Sequence, residues 1–345
     1  MKKVFLEATY GIGNFGDDLL WSLFREQLIA LGCSVTIGGD IRRAGAEAGE
    51  IDVHRTDVVG KARVIAGVDF VVIGGGGQFN DNSSRSGGAH LAITFALSRL
   101  FGRRILVCGT GFGPLSKPFA RRLWRLLARK TNSVYALREA EGVIAFEELT
   151  GRDAVLCCDP IFSEFARRAL KLDQLAEQRA AHPPLPSAPG LINFRNFRRN
   201  TEAELVIVGE LLAEGHALEG LSADDRGDLG TDELRVLRIE TLHPYRGVAP
   251  FLDTLVAAPF VVTQRFHVLC ACAILGVPVV PLVYAEKMRD FCLWMGLPFV
   301  TTEDTDPKQI RSAVRAALDN GPVDQARLME RVDPLEWLRR NAWKA

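Results

Sequence analysis

Apolar runs separated by short polar turns are clearest in residues 261–287, VVTQRFHVLCACAILGVPVVPLVYAEK. A β-branched run ends at Thr263, and a short polar turn leads into an apolar segment of helical length, which stops at Gly276. A second β-branched run covers residues 277–283. The pattern predicts a βαβ unit with polar residues at the carboxyl end of its first strand.

These polar residues form a candidate anion site. Arg265 and His267 follow the first strand, and Tyr284 and Lys287 follow the second. Ligands of open α/β sheets bind at the carboxyl edge, where helix amino termini favour anions. Each side chain also has a structural interpretation: Arg265 pairs with a carboxylate, His267 is a satisfied buried histidine, and Lys287 is solvated. Their position at adjacent strand ends favours the anion site.

The first half of the chain alternates between strand and helix patterns. The predicted strands are residues 3–9, 34–37, 69–73, 104–108, 133–137 and 154–158, and the predicted helices are 17–31, 90–100, 117–130 and 142–149. Glycine-rich turns end three of these strands, which is typical of a doubly wound domain. Four consecutive glycines are costly in backbone entropy, so Gly75 and Gly76 are expected either to allow close backbone approach, as of a bound substrate, or to adopt positive φ angles.

The first turn, GIGNFGDD, fits the dinucleotide-binding pattern G-x-G-x-x-G. Asp17 and Asp18, however, occupy the helix amino terminus, where they would repel a pyrophosphate, and Asn14 adds a polar amide to the loop. In the structural interpretation Asp17 only caps the helix. In the functional one, the two aspartates face a hydroxyl-bearing or cationic partner.

The second half predicts another α/β set after a proline-rich stretch. Its strands are residues 191–194, 216–221 and 235–239 and those of the opening unit, and its helices include 201–213, 248–257 and 307–319; Arg195 follows the first of these strands. We therefore expect two Rossmann-like domains facing each other across a cleft, the arrangement called GT-B. Their expected extents are residues 1–165 and 190–325, with a linker at 166–189 and a tail at 326–345 that packs back.

Composition narrows the function classes. The 345 residues contain 42 Lys plus Arg and 42 Asp plus Glu, so nothing indicates a nucleic-acid partner. No signal peptide or membrane-spanning run is visible, which favours a cytoplasmic protein. The seven cysteines lack the paired spacing of a zinc site and are expected to be buried thiols in a reducing compartment.

Residues 117–130, KPFARRLWRLLARK, predict a basic amphipathic helix with six cations and no acid. We expect Phe119, Leu123, Leu126 and Leu127 along one apolar face. Such a helix usually covers a sheet. The second interpretation is contact with an anionic membrane surface, at its inner face, or with a lipid-linked substrate.

Seven short motifs occur in one order along the chain. They are GIGNFGD from Gly11, GGGG from Gly74, GTGFGP from Gly109, Arg138-Glu139, Asp159-Pro160, Arg265-Phe266-His267 and Tyr284-Ala285-Glu286-Lys287. Together they resemble the polysaccharide pyruvyl transferase family over residues 4–295. The chain departs from the family at Glu139, where Asp is more frequent, and at Gly142, where Ser is.

The resemblance implies transfer from phosphoenolpyruvate to two hydroxyls of a sugar in a cell-envelope polysaccharide, giving a pyruvate ketal and phosphate. The donor carries about three negative charges, so its pocket needs cations, and arginine binds carboxylate and phosphate bidentately. The candidates are Arg138, Arg195, Arg265 and Lys287, with Tyr284 beside them. His267 would protonate C3, since a histidine ordinarily has a pKa of about 6.5. Asp17 or Asp18 would take or orient the hydroxyl proton. No further cofactor and no metal is expected.

Three alternatives stay open at this stage. A GT-B glycosyltransferase would bind a nucleotide sugar and needs an acidic residue for the ribose, for which Glu286 or Asp253 could serve. A regulatory module would keep the fold and lose the chemistry. A nicotinamide-dependent oxidoreductase comes last, because of Asp17 and Asp18.

Overall fold

The computed structural model describes residues 1–8, 13–39, 52–81, 89–185, 187–196, 202–224, 227–320, 323, 325–328 and 330–344. Gly11 and Ile12, which begin the first glycine-rich motif, lie outside these ranges, as does Pro186 of the proline-rich stretch. The chain divides into two compact units. The first comprises Met1–Ile12, Asp17–Ala166 and Met329–Ala345, and the second comprises Gly13–Gly16 and Arg167–Leu328.

The first unit is built on a parallel sheet. Over the described residues its strands are β1 (Lys3–Glu7), β2 (Ser34–Gly39), β3 (Asp52–His54), β4 (Phe70–Gly74), β5 (Arg104–Thr110), β6 (Ser133–Leu137) and β7 (Val155–Leu156). They pair in the order β3-β2-β1-β4-β5-β6-β7. The chain therefore winds outward from β1 in one direction and from β4 in the other, as in doubly wound folds.

Helices cover this sheet because the central strands are apolar on both faces. They are α1 (Phe15–Ala30), α2 (Val58–Gly67), α3 (Ala89–Leu100), α4 (Pro118–Lys130), α5 (Ala140–Thr150) and α6 (Glu164–Ala169). Helices α2 to α5 pack against one another in chain order. Their inner side chains share a core with Val71, Ile73 and Val107 of the sheet.

The second unit repeats this plan. Its described strands are β8 (Gly190–Asn193), β9 (Leu218–Leu221), β10 (Leu242–His243), β11 (Val261–Thr263), β12 (Val279–Val283) and β13 (Val300–Thr301), paired in parallel in the order β10-β9-β8-β11-β12-β13. The helices are α7 (Leu172–Ala181), α8 (Glu202–Ala213), α9 (Thr231–Val236), α10 (Val248–Ala257), α11 (Phe266–Leu275), α12 (Glu286–Met295), α13 (Pro307–Asp319) and α14 (Gln325–Leu328). The two parallel sheets confirm the predicted α/β class with two Rossmann-like domains.

Two parts of the element assignment were wrong. Strand β3 and helix α2 were not predicted, so the strand before the glycine run is the fourth and not the third. Residues 235–239 were predicted as a strand, but helix α9 covers the first two of them and the next strand begins at Leu242. The Glu233 side chain accepts from the backbone N–H of Gly230, which fixes the start of α9.

The faces of α4 also differ from the prediction. Trp124, Ala120 and Ala128 point into the core, whereas Phe119 and Leu126 are exposed. The four apolar residues that were expected on one face are therefore divided between two. The reason is that Trp124 fills the inner face, where it packs against the ring of Phe79 at a centroid distance of 4.9 Å.

The first unit contains a buried ion pair. The Lys61 ammonium donates to the Glu7 carboxylate, to the His90 carbonyl at 3.1 Å and to Thr94 Oγ1 at 3.1 Å. Burial raises the pKa of Glu7, against the opposing effect of Lys61. All three ammonium protons therefore have an acceptor, the arrangement that a buried charge requires.

The segment at 166–189 and the C-terminal tail each join a unit. Helix α7 is part of the second unit, because the Arg179 guanidinium donates to the carbonyls of Val256 and Ala258 at 2.6 and 2.7 Å. The tail helix α15 (Pro334–Ala342) packs on the first sheet. All seven cysteines are buried and free. None of the described helices combines the length and apolar character needed to cross a bilayer.

Candidate functional site

The turn after β11 places the motif residues of the second unit. Thr263 ends the strand, and its hydroxyl accepts from the Arg265 backbone N–H at 2.9 Å. This contact turns the chain into α11, whose first residues are Phe266 and His267. The helix ends at Gly276 in the left-handed conformation, as predicted from the sequence.

Among the residues that the structure describes, the cations Arg195, Arg265 and Lys287 lie around the Tyr284 phenol at the carboxyl edge of the second sheet. The Arg195 guanidinium lies 4.6 Å from the ring centroid of Tyr284, and the ammonium of Lys287 is 5.7 Å from the ring of Phe266. The strands β8, β11 and β12 that carry Arg195, Arg265 and Tyr284 are direct neighbours in the sheet. The structure thus brings together residues that lie far apart in the sequence.

The pKa of Tyr284 is shifted by the positive charges of these cations. Burial acts to raise the pKa of its phenol, but the charges of Lys287, Arg195 and Arg265 and a hydrogen bond from Arg195 outweigh it. The pKa of Tyr284 consequently lies below its ordinary value of about 10. A phenolate is stabilised here, which indicates that the edge favours negative charge.

Arg265 is held by two carboxylates that were not predicted. Its Nε donates to Asp228 at 2.6 Å and its Nη2 to Asp224 at 2.9 Å, and its side chain is 14% exposed. Burial raises the pKa of Asp228, and the positive charge of Arg265 opposes the rise. The structure therefore shows the pairing with a carboxylate that the structural interpretation of Arg265 expects.

A buried hydrogen-bond network fixes Asp228 beneath the site. The Asn193 amide donates to Asp228 at 2.9 Å and to the Leu221 carbonyl at 2.8 Å, and Thr263 donates to Asn193 Oδ1 at 2.8 Å. The backbone N–H of Ala223 also donates to Asp228, at 2.7 Å. These contacts join the ends of β8, β9 and β11, and they satisfy polar groups that would be costly to bury alone.

Gln264 connects this edge of the second sheet to helix α8. Its Oε1 accepts from the Arg195 backbone N–H at 2.6 Å, and its amide donates to Glu204 of α8 at 2.8 Å. Both Gln264 and Glu204 are buried. The first hydrogen bond fixes the backbone of Arg195 relative to β11. It thereby also fixes the position from which the Arg195 side chain extends.

His267 lies against the backbone of Gly16, which belongs to the same unit. A β-carbon on Gly16 would lie 2.1 Å from His267 Nδ1, well inside any real contact. Its ring is half-buried and meets the ring of Phe266 edge-on at 5.3 Å. The glycine of the N-F-G sequence is thus required by the imidazole.

The residues before Gly16 are hydrogen-bonded to the segment that carries Asp224. Asn14 Nδ2 donates to Asp224 at 3.1 Å, and the Phe15 backbone N–H donates to the Ala223 carbonyl at 2.8 Å. Phe15 is buried and stacks on Phe251 with a centroid distance of 4.3 Å. Asn14 therefore orients one of the two carboxylates that hold Arg265.

In the first unit the glycine-rich turns lie side by side. Gly75 and Gly76 have φ angles of +63° and +72°, and the Gly111 backbone N–H donates to the Gly76 carbonyl at 2.9 Å. A β-carbon on Gly75 would come within 2.7 Å of Leu20. These glycines are explained by backbone conformation and packing within the unit. Asp17 and Asp18 occupy the first turn of α1 and are half-buried.

Arg138 forms a buried ion pair in the first unit. Its side chain is 3% exposed, and its guanidinium donates to Asp159 at 2.7 Å and to Glu139 at 2.8 Å. The two carboxylates raise its pKa against the effect of burial. Asp159 also caps the turn that follows, accepting from the Ile161 N–H at 3.1 Å. Arg138 therefore has two carboxylate partners, and its expected contact with a ligand stays a prediction.

Sequence reasoning missed Asn193, Glu204, Asp224, Asp228 and Gln264. One signal could have found the aspartates: SADDRGD directly follows β9, so these polar residues also stand at a strand's carboxyl end. Asn193, which ends β8, has the same position. Glu204 gave no such signal, because it lies within a helix and its partner lies sixty residues away.

Comparison with protein families gives a match over most of the chain. The sequence model of the family described as polysaccharide pyruvyl transferase matches residues 14–286. No curated protein sequence matches the chain.

Solved structures show the same fold at low sequence identity. UDP-GlcNAc 2-epimerase from Methanocaldococcus jannaschii has a TM-score of 0.66 at 10% identity, covering 99% of this chain and 100% of the other. MurG from Acinetobacter baumannii has a TM-score of 0.54 at 11% identity, covering 100% of both chains. The UDP-GlcNAc 2-epimerase from Neisseria meningitidis, solved with bound UDP-GlcNAc, has a TM-score of 0.58 at 9% identity, covering 99% and 100%. These similarities show a GT-B-like fold.

Proposed function

We propose a function from the premise that the chain belongs to the polysaccharide pyruvyl transferase family, whose model matches residues 14–286. The chain transfers the pyruvyl unit of phosphoenolpyruvate to two hydroxyls of one sugar in a cell-surface polysaccharide or its precursor. The products are a cyclic pyruvate ketal and inorganic phosphate.

The cation cluster around Tyr284 is the observation that carries the proposal. Phosphoenolpyruvate has a carboxylate and a phosphate and about three negative charges near neutral pH. Arg195 and Lys287 supply positive charge at one strand edge, and the lowered pKa of Tyr284 supports an environment that favours anions. Arginine suits the planar carboxylate, and lysine suits the phosphate as a point charge.

Arg265 has a different role in this proposal. Its two aspartate partners already compensate its charge, so it acts as a positioning residue that orients the turn before His267 and adds to the field at Tyr284. Asn14 supports it by fixing Asp224.

The reaction requires one proton to be added to carbon. His267 protonates C3, which becomes a methyl carbon and leaves C2 short of electrons. One sugar hydroxyl adds to C2 and loses its proton, and the second hydroxyl displaces phosphate as the C2–O bond breaks with its electron pair on phosphate. Of the two protons released, one restores His267 and the other goes to phosphate. A general acid of this kind typically contributes about 10²–10⁴-fold to the rate.

Acceptor binding is assigned to the first unit. Asp17 and Asp18 lie in the first turn of α1, half-buried, where carboxylates are favoured by the helix dipole. We assign them to the acceptor hydroxyls, as hydrogen-bond acceptors and proton carriers. Full activity of both the Asp17→Asn and the Asp18→Asn variant would remove them from the chemistry.

The first test measures thermal unfolding with phosphoenolpyruvate, UDP-GlcNAc or NAD. A ligand at about 100 times its dissociation constant stabilises a fold by about 2.7 kcal/mol. We expect phosphoenolpyruvate to stabilise the wild type and the Lys308→Gln control, which loses the same charge on α13, but not Lys287→Gln. Because the N. meningitidis structural neighbour is solved with UDP-GlcNAc, stabilisation by that ligand alone would favour a nucleotide-sugar enzyme instead.

A second test separates binding from chemistry at His267. We expect His267→Gln to keep phosphoenolpyruvate binding and to lose about 10²–10⁴-fold in kcat, measured as phosphate release with an acceptor saccharide. Loss of binding with an unchanged rate at saturating phosphoenolpyruvate would exclude His267 as the acid.

A further inference from the structure

The outward side of helix α4 carries exposed apolar and basic side chains that the first unit does not need for folding. Phe119 is 76% exposed and Leu126 54%; the exposed cations Arg122 and Lys130 follow them on the same side of the helix at i+3 and i+4 spacing, and the exposed Arg121 lies on its flank. We call these five residues the α4 face. The helix contains no acidic residue, and within the described part of the chain none of these three cations has a side-chain partner.

The inner face of α4 already accounts for its packing. Trp124 meets the rings of Phe79 and Phe95 edge-on at 4.9 and 5.4 Å, and Ala120 and Ala128 are buried beside it. Leaving a phenylalanine ring in water forgoes about 1.5–3 kcal/mol of burial free energy. The exposed ring is therefore a feature that folding does not explain.

Two further arginines of α4 donate hydrogen bonds to α5, so they are not included in the α4 face. Arg125 Nε donates to the Leu149 carbonyl at 3.0 Å, and Arg129 Nε donates to the Thr150 carbonyl at 2.6 Å. Both carbonyls belong to the last turn of α5, where cations stabilise the helix end. Within the described ranges, the remaining cations of α4, Arg121, Arg122 and Lys130, have no such contact.

We propose that the α4 face binds the surface of an anionic lipid membrane. Phe119 and Leu126 enter the boundary between head groups and acyl chains, and Arg121, Arg122 and Lys130 pair with lipid phosphates. Charge complementarity selects an anionic partner, and the apolar residues among the cations select a lipid surface over a purely hydrophilic polyanion. This binding goes beyond the proposed function and does not depend on it.

The test is co-sedimentation of the full chain with vesicles of phosphatidylcholine alone or mixed with phosphatidylglycerol. We expect binding to the mixed vesicles only, weakened by salt. Arg121→Gln/Arg122→Gln is expected to lose roughly 30-fold in partitioning, because each cation near an anionic surface contributes about 1 kcal/mol. The matched control is Lys308→Gln/Arg311→Gln, which removes two positive charges, one exposed and one half-buried, from α13 of the second unit and is expected to bind as the wild type does.

Phe119→Ser separates insertion from charge, since it keeps every cation of the α4 face. We expect weaker binding to mixed vesicles and unchanged thermal unfolding without lipid, because the ring is exposed. Equal binding to both kinds of vesicle, no binding to either, or equal loss in the α13 control would overturn the proposal. Retention on an anionic polysaccharide without vesicle binding would also overturn it and would assign the α4 face to a polymer.

Discussion

Gly16 and His267 are in direct contact, and the contact leaves no room for a side chain on the glycine. A β-carbon at Gly16 would approach His267 Nδ1 to 2.1 Å, so the imidazole of the wild type can occupy its place only because position 16 is glycine. This relationship gives the N-F-G sequence at the start of α1 a steric meaning that does not involve a dinucleotide.

Gly16→Ala is therefore expected to displace His267 and to lower kcat by about 10–100-fold, since a misplacement of about 1 Å at a catalytic group can cost about 10²-fold. The NMR signal of the His267 ring, identified by its loss in His267→Gln, is expected to shift. Gly209→Ala is the matched control, because a β-carbon on Gly209 in α8 meets nothing within 4 Å. The control should keep full activity and gain about 0.5–1 kcal/mol in stability. An unshifted ring signal in Gly16→Ala would contradict the steric account.

Tyr284 is expected to ionise below the ordinary pKa of tyrosine, and Lys287→Gln is expected to raise its pKa. The measurement is the tyrosinate absorbance of the wild type minus that of Tyr284→Phe as pH rises. Since the folded pKa is lower than the unfolded one, this group adds stability that is fully present above the unfolded pKa and is lost as pH falls through the folded pKa. Lys308→Gln, with the same charge change on α13, should leave the titration unchanged. A pKa that does not respond to Lys287→Gln would disconnect Lys287 from the phenol.

Lys61→Met is expected to cost about 3–5 kcal/mol of unfolding free energy, because it leaves the buried Glu7 carboxylate without its cation. Urea unfolding measures this loss. The double variant Glu7→Leu/Lys61→Met should be less destabilised than the single one, since no charge is then left unpaired. Lys308→Met, on the surface, should change stability by no more than about 0.5 kcal/mol. A double variant worse than Lys61→Met would show that packing, and not charge, governs the site.

Phosphate release from phosphoenolpyruvate is expected to continue at full rate in the presence of a chelator. The physical reason is that Arg195 and Lys287 provide the positive charge that a bound divalent ion would otherwise supply. The assay compares treated protein with and without added magnesium. Activity that disappears with chelator and returns with magnesium would refute this prediction.

The fold could be predicted where periodicity was strong. Strand β6 and helices α10 and α13 begin and end where the apolar pattern placed them. Helix α2 was missed because its inward residues include Lys61, a charge that no amphipathic pattern assigns to a core. Strands β3 and β10, with three and two residues, are too short to give a period.

The sequence could predict those residues of the candidate site that follow the ends of strands. Arg195, Arg265 and Tyr284 each follow a buried strand, and parallel neighbours bring such positions to one edge. The pairing of Arg265 with Asp224 and Asp228 depends on which rotamers the network beneath allows, and sequence spacing carries no such information. For the same reason the sequence did not reveal that Arg138 pairs with Asp159 and Glu139.

Helix α11 is apolar around its whole circumference, and nine of its ten residues are buried; the exception is His267. Its amide protons beyond the first turn can reach solvent only when a large part of the second unit opens, so hydrogen exchange there should be among the slowest in that unit. Sites that work by local motion usually lie on weakly protected segments. Here the imidazole is attached to the first turn of a deeply buried helix, so we expect its position to be set by the global stability of the unit rather than by the fluctuation of a loop.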